Sequence, residues 1–348
     1  MNKRPLTFIA FLSTISLIVA ACGTDQAVTT TQPTTTTTGE ATTTTAEATT
    51  TTEQAETTTT VSAELEYLLE LGYTFSDEYV VETVVRDIDS GTGGLAIDED
   101  GVMYQADFGY SGHDGNTVYR IQPDGTVEAF SQSDGMDALT MTTFGADGRL
   151  YQSSYGSGNV FVIGEDGTAE LFAEGIGGPT GIVALEDGTV FVEAYNTGII
   201  HRITPDGTMT DWAEHPEFDG INGMTIGPDG TIYVANHRDG GLFSVTQEGE
   251  VTKLHEFPWQ TSHVAYLDGS LFVTSRGIFV VYRYDVETGE VEIVAGNTQP
   301  GDADGRGLES SFGRPNAITV GPDGALYFNH ADGPNNNPVH IRRIIHQP

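Results

Sequence analysis

An all-β fold, a six-bladed β-propeller closed by an N-terminal strand, is predicted by three observations on this sequence. Asp-Gly turns flanked by β-branched and aromatic residues recur from Tyr79 onward, a second set of glycine turns alternates with them, and an unpaired strand precedes the first repeat.

The first set of turns is Asp100, Asp147, Asp187, Asp229, Asp268 and Asp323, each followed by glycine, at spacings of 39 to 55 residues. Runs such as "GMTI" and "AITV" precede these turns, and runs such as "IYVANH" and "LYFNHA" follow them. In "GPDG" the proline presets the first φ of the turn and glycine accepts a left-handed conformation, so these aspartates read as hairpin residues. The second set is "PDGT" (123–126), "EDGT" (165–168), "PDGT" (205–208), "QEGE" (247–250) and "ETGE" (287–290). Two hairpins per repeat make four strands, the content of one blade. The sixth repeat runs out one strand short after "VHIRRII" (339–345), and "YVVETVVRDI" (79–88) supplies the missing outer strand. That pairing closes the ring and removes its exposed edges. The propeller therefore spans 79–348.

Three segments precede it. Residues 1–21 carry Lys3 and Arg4 and then "FIAFLSTISLIVAA", the pattern of an export signal and too short for a confident spanning helix. Its end, "VAAC" (19–22), resembles the lipobox of bacterial lipoproteins, which implies cleavage before Cys22 and lipidation of that residue. The resemblance predicts an exported protein, lipid-anchored to the membrane on its extracytoplasmic side. Residues 22–61 are dominated by threonine and contain no aromatic residue, so they read as a disordered linker unable to bury apolar surface. Residues 62–78 read as a short helix and lead-in, with Ser62 as cap, Leu65, Leu68 and Leu69 as an apolar stripe, and Gly72 as terminator.

Composition narrows the function. With 14 basic and 50 acidic residues the formal charge is −36, which sets nucleic acid aside as a partner. Cys22 is the only cysteine, so disulfides and cysteine catalysis drop out of the propeller. No Gly-x-Ser-x-Gly elbow, phosphate loop or histidine-rich metal motif occurs, and nothing in the pattern requires more than a monomer.

If a blade's first strand (A) starts on one face and its second (B) returns there, the starts of A and the ends of B share a face around the channel. The A entries are Gly93, Asp137, Thr180, Asn222, Ser262 and Asn316, and the residues at or near the B ends are Asp107, Ser154, Glu193, Asn236, Ser275 and His330. From these, Asp137, Asn222 and Asn316 are the expected metal ligands, offering the oxygen donors that Ca²⁺ or Mg²⁺ takes. Glu193 and His263 are the candidate catalytic residues, and Asp107, Asn236 and His330 the candidate ligand contacts. The loop "GDADGRG" (301–307) places Asp302 and Asp304 in a calcium-like spacing but lacks the EF-hand glutamate.

The segment 293–344, with "PNAITVGPDGALYFNHADG" at its centre, resembles an NHL repeat, and 79–346 resembles the six-bladed SMP-30/gluconolactonase and strictosidine-synthase-like propellers. The SMP-30 resemblance implies a metal site with a glutamate before the first A strand, asparagine in "PNG"-like entries and an aspartate in another. "INGM" (221–224), "PNAI" (315–318) and "MDAL" (136–139) match the latter, while Gly93 stands where the glutamate would be. "IIHRITPDGTMTDW" (199–212) resembles the streptogramin (virginiamycin B) lyases, whose propellers have seven blades. The incomplete ligand set puts a binding platform first, its top face holding a small molecule, glycan or protein. Metal-dependent hydrolysis of a lactone or ester is the alternative, and lyase chemistry ranks third.

Overall fold

The hairpin chemistry is realised turn by turn in the computed structural model, which describes residues 62–111, 113–333 and 336–348. The expected signal peptide, Cys22 and threonine-rich linker lie outside the described residues. Asp147, Asp187, Asp229 and Asp323 each accept, through Oδ1, the backbone N–H two residues on, at 2.9 to 3.2 Å. In the "GPDG" turn at 227–230, Gly230 adopts φ +86°, a conformation that costs a side-chain-bearing residue energy. These aspartates are turn residues, and the backbone amides that Asp187 and Asp229 accept from hold those two carboxyls below the ordinary range.

Among the described residues six sheets result, antiparallel except where Thr74–Phe75 joins Val291–Ala295 in parallel. The A and B strands are Thr92–Ile97 and Met103–Asp107 in blade 1, Leu139–Phe144 and Leu150–Ser154 in blade 2, and Pro179–Ala184 and Val190–Ala194 in blade 3. Blade 4 has Ile221–Ile226 and Ile232–Asn236, blade 5 Thr261–Leu267 and Ser270–Ser275, and blade 6 Arg314–Val320 and Leu326–Ala331. Each A strand touches the next round a closed circuit, the sixth meeting the first. Tyr79–Ile88 pairs antiparallel with Val339–His346 as the outer strand of blade 6, so the predicted closure is the observed one.

Apolar side chains alternating along these strands fill the spaces between blades rather than one central core. Six buried clusters follow, one at each junction; Phe191, Ile221, Met224, Val234 and Phe243 form part of the one between blades 3 and 4. The helix α1, Ala63–Glu70, is capped by Ser62, whose Oγ accepts from Leu65 N at 3.1 Å. It ends as expected at Gly72, with φ +89°. Leu65 and Leu68 are buried, Leu68 joining the core between blades 4 and 5, whereas Leu69 is 48% exposed and not part of the stripe. Tyr67 meets Trp259 edge-on at 5.5 Å instead. Asp302 and Asp304 pair with Arg86 and Arg342, so the calcium-like spacing serves ion pairs between loop and strand.

Candidate functional site

A strand's side chains alternate, so three consecutive residues at the end of each B strand have different duties. Counting from the turn aspartate, the sixth residues are Ala106, Ser153, Glu193, Ala235, Thr274 and Asn329. Their polar members reach A strands: Ser153 Oγ donates to Thr180 O at 2.6 Å, Thr274 Oγ1 to Asn316 O at 2.6 Å, and Asn329 Nδ2 to Gly93 O at 3.0 Å. Glu193 belongs to this set. Its Oε2 accepts from Gly181 N at 3.0 Å and Thr180 Oγ1 at 3.4 Å, its Oε1 has no partner, and it is fully buried. Burial raises its carboxyl pKa to about 8.

Except in blade 3, where it is Ala194, the seventh residue fastens the blade to the link that enters it. Asp107 accepts from Gly91 N at 2.7 Å and Gly109 N at 2.8 Å, and lies 2.7 Å from His113 Nε2. Asn236 Nδ2 donates to Glu217 O at 2.7 Å, and Ser275 Oγ to Gln260 O at 3.2 Å. His330 Nδ1 lies 3.1 Å from Gly313 N and 3.1 Å from Asp332. Asp107, Asn236 and His330 are therefore engaged in the scaffold, away from the ligand contacts expected of them.

The eighth residues form the site. Phe108, Tyr155, Tyr195, His237 and Arg276, from blades 1 to 5 in order, line one cavity of about 220 Å³ with Thr92, Thr140, Thr180, Asn222, His263 and Asn316 from the A strands. Blade 6 has Ala331 at this position and contributes Asn336 from the following loop. The rings run in a chain: Phe108 to Tyr155 at 6.2 Å, Tyr155 to Tyr195 at 5.9 Å, and Tyr195 to His237 at 6.3 Å. They make an aromatic arc along one side of the cavity.

The other side is basic. Arg276 Nη1 donates to Asn316 Oδ1 at 3.3 Å and Thr92 Oγ1 at 3.5 Å, and Nη2 to Asn336 Oδ1 at 2.5 Å. All three acceptors are neutral. Burial and the nearby Arg314 lower the Arg276 pKa to about 10, which leaves it charged at neutral pH. His237 Nδ1 lies 2.7 Å from Thr261 O, a pure acceptor, so the proton sits on Nδ1 and Nε2 is left as an acceptor. His263 is 2% exposed with its Nδ1 unpartnered. Burial, His237 and Arg276 hold its pKa near about 3, so the ring is neutral.

Of the expected metal ligands, Asn222 and Asn316 line this cavity and Asp137 does not; of the candidate catalytic residues, His263 lines it and Glu193 does not. Asp137 is exposed on the link into blade 2. Asn222 Nδ2 donates to Ser262 Oγ at 3.2 Å. Asn316 Nδ2 donates to Thr92 O at 3.1 Å and Gly93 O at 2.9 Å, and its Oδ1 is shared by Ser262 and Arg276. Among the described residues, no group of three or more His, Cys, Asp or Glu side chains is placed to hold a metal ion. A guanidinium in a carboxylate-free cavity does not fit a divalent cation.

The sequence model of the virginiamycin B lyase family matches residues 78–267, more than half of the chain. The chain belongs to the virginiamycin B lyase family. The third-ranked resemblance, at 199–212, is thus the one that carries membership, on a ring of six blades. The match runs from the closing strand to the A strand of blade 5, so Arg276, Asn316 and Asn336 lie beyond it. No curated protein sequence matches significantly. Solved structures sharing the fold include a gluconolactonase from Xanthomonas campestris, 18% identical over 79% of this chain and 92% of that one, TM-score 0.59. An auxiliary nutrient binding protein from Bacteroides ovatus is 14% identical over 78% and 77%, TM-score 0.62. A catalytically inactive virginiamycin B lyase from Staphylococcus aureus, with quinupristin, is 15% identical over 77% and 99%, TM-score 0.54.

Proposed function

We propose that this member of the virginiamycin B lyase family is a binding protein, holding a small molecule in the central cavity without a metal. The observation that supports this most is the cavity wall itself: an aromatic arc faces a charged Arg276 whose hydrogen-bond partners are all neutral. A wall of that kind recognises one apolar and one polar end of a ligand. The cavity holds no carboxylate to serve as base or metal ligand, and the buried His263 is a weak base. At about 220 Å³ the space suits a ligand below drug size. The "VAAC" sequence and threonine-rich segment support an exported, lipid-tethered location for this receptor.

A second reading, ring opening of a cyclic ester by a histidine base, is favoured by His237, whose neutral Nε2 is left as an acceptor in the cavity wall. One experiment separates the two. The purified chain is incubated with quinupristin and with simple lactones, with and without Mg²⁺, and thermal shifts against a small-molecule panel are recorded in parallel. Binding predicts stabilising ligands whose effect falls in Asn222→Ala, and no turnover. Linearisation of quinupristin or lactone opening that disappears in His237→Ala sinks the binding reading.

A further inference from the structure

We infer that the ligand is a small monocarboxylate bearing a flat apolar or aromatic ring, its carboxylate on Arg276 and its ring against Tyr155 and Tyr195. The inference rests on the binding reading and names the chemistry of that ligand.

The carboxylate end follows from counting donors. A guanidinium has five N–H groups, and the contacts to Thr92, Asn316 and Asn336 use three. Nη1 spends both of its hydrogens and Nη2 one, which leaves Nε–H and one Nη2–H. These are the two nitrogens of the side-on fork that takes a carboxylate in bidentate fashion. A desolvated guanidinium with only neutral partners carries an electrostatic cost that an incoming anion removes. Among the described residues none of its ion-pairing acceptors is acidic, and the charge that acts on it most is another arginine, Arg314.

The net charge decides among anions. The chain that carries this basic pocket has a formal charge of −36, so each extra negative charge on a ligand meets added long-range repulsion. A monoanion is disfavoured least, which selects a carboxylate over a phosphate dianion. The ring end follows from the arc of Phe108, Tyr155 and Tyr195, which lines the cavity, with the Arg238 guanidinium 4.9 Å from the Tyr195 ring centroid covering one face of that ring. A neutral acceptor in the wall, His237 Nε2, suits a hydroxyl or amide N–H between the two ends.

Calorimetric titration of the full chain with 3-phenylpropanoate, its neutral amide, acetate and phenylphosphonate tests this. The acid is expected to bind at least about tenfold more tightly than the amide, acetate and the phosphonate, the fold-change of one charge-assisted bidentate contact. Arg276→Gln is expected to abolish the preference for acid over amide, and Arg276→Lys to keep a reduced one, which covers the case in which the glutamine variant does not fold. Tyr195→Leu is expected to weaken acid and amide alike. If the amide binds as tightly as the acid, or Arg276→Lys and Arg276→Gln both keep the full preference, the carboxylate assignment falls and the binding cavity stands. If no probe binds and the broad panel is also silent, both fall together.

Discussion

Asn316 Oδ1 accepts hydrogen bonds from Ser262 Oγ at 2.7 Å and from Arg276 Nη1 at 3.3 Å, so one amide joins blades 5 and 6 and aims the guanidinium. Its Nδ2 meanwhile donates to Thr92 O and Gly93 O, the first strand of the ring. The residue marked in the sequence as a metal ligand is thus saturated by protein partners. Asn316→Ala removes the amide that Thr92 O, Gly93 O, Ser262 and Arg276 share, leaves Gly93 O with Asn329 alone, and is expected to cost about 3 kcal/mol in chemical denaturation. Loss of acid-over-amide preference should accompany it, because Arg276 loses its aim. An unchanged denaturation midpoint would show that water replaces the amide.

Glu193 gives the fold a pH dependence. Its carboxyl pKa is raised by burial from the ordinary 4.5 to about 8. Between those values the unfolded chain has lost the proton and the folded chain keeps it, so the contribution is fully present below pH 4.5 and is lost as pH rises through 8. The slope for this one group is about 1.4 kcal/mol per pH unit at most. Glu193→Gln, which keeps the hydrogen-bonding shape without the charge, should flatten that part of the stability profile. A profile identical to that of the parent would show that Glu193 is solvated in solution.

His263 acts in the opposite sense. Its folded pKa lies near about 3, below the ordinary 6.5. The unfolded chain takes up a proton first on acidification, so its contribution is present above pH 6.5 and is lost as pH falls through 3. NMR of the ring should show a neutral imidazole at pH 5. A resonance titrating near pH 6.5 would place the ring in water and remove it from the buried wall described above.

The fold was legible because its determinants are local. Asp-Gly turns and strand alternation depend on a few neighbouring residues, and the lone strand at 79–88 had one vacancy to fill. The site was legible only to within a register. Aligning B-strand ends placed Glu193 beside Asp107, Asn236 and His330, although it sits one residue earlier in its repeat. A shift of one residue turns a side chain to another face. The functional row, one residue further on, holds Phe108, Tyr155, Tyr195 and Arg276, residues that carry no motif and vary from blade to blade. The signal that finds them is the count of eight from each turn aspartate. His263 was visible as a histidine at the start of an A strand, while the pairing of Arg276 with Asn316 spans two blades and has no local trace.

Closure by the N-terminal strand makes a truncation prediction. Val81, Val85 and Ile88 are buried in the clusters on either side of blade 6, and Glu82 and Thr83 bind Arg343 and Asp304. A chain lacking 1–78 loses α1 and Thr74–Phe75 but keeps the ring, and should unfold cooperatively at a lower temperature. A chain lacking 1–88 exposes the edge of Val339–His346 and should not fold cooperatively. Limited proteolysis and near-ultraviolet circular dichroism check both; a protease-resistant chain without 1–88 would mean that five complete blades suffice.

Gly93 explains why the glutamate implied by the SMP-30 resemblance has no counterpart here. A Cβ on Gly93 would lie 2.5 Å from both Ala106 O and Leu139 O, backbone atoms of two different blades that cannot swing aside. The Gly93 carbonyl is in turn held by Asn316 and Asn329. Close approach of blades 1, 2 and 6 has therefore consumed the space in which a ligand side chain would start. Gly93→Ala should cost about 3 kcal/mol by overpacking against rigid backbone. Gly93→Glu should be worse still and should create no saturable Ca²⁺ or Mg²⁺ site by calorimetry, because the strand must shift before the carboxylate can enter the cavity. A stable Gly93→Glu chain that binds one equivalent of either ion would show that the ring opens by more than the packing of these carbonyls allows.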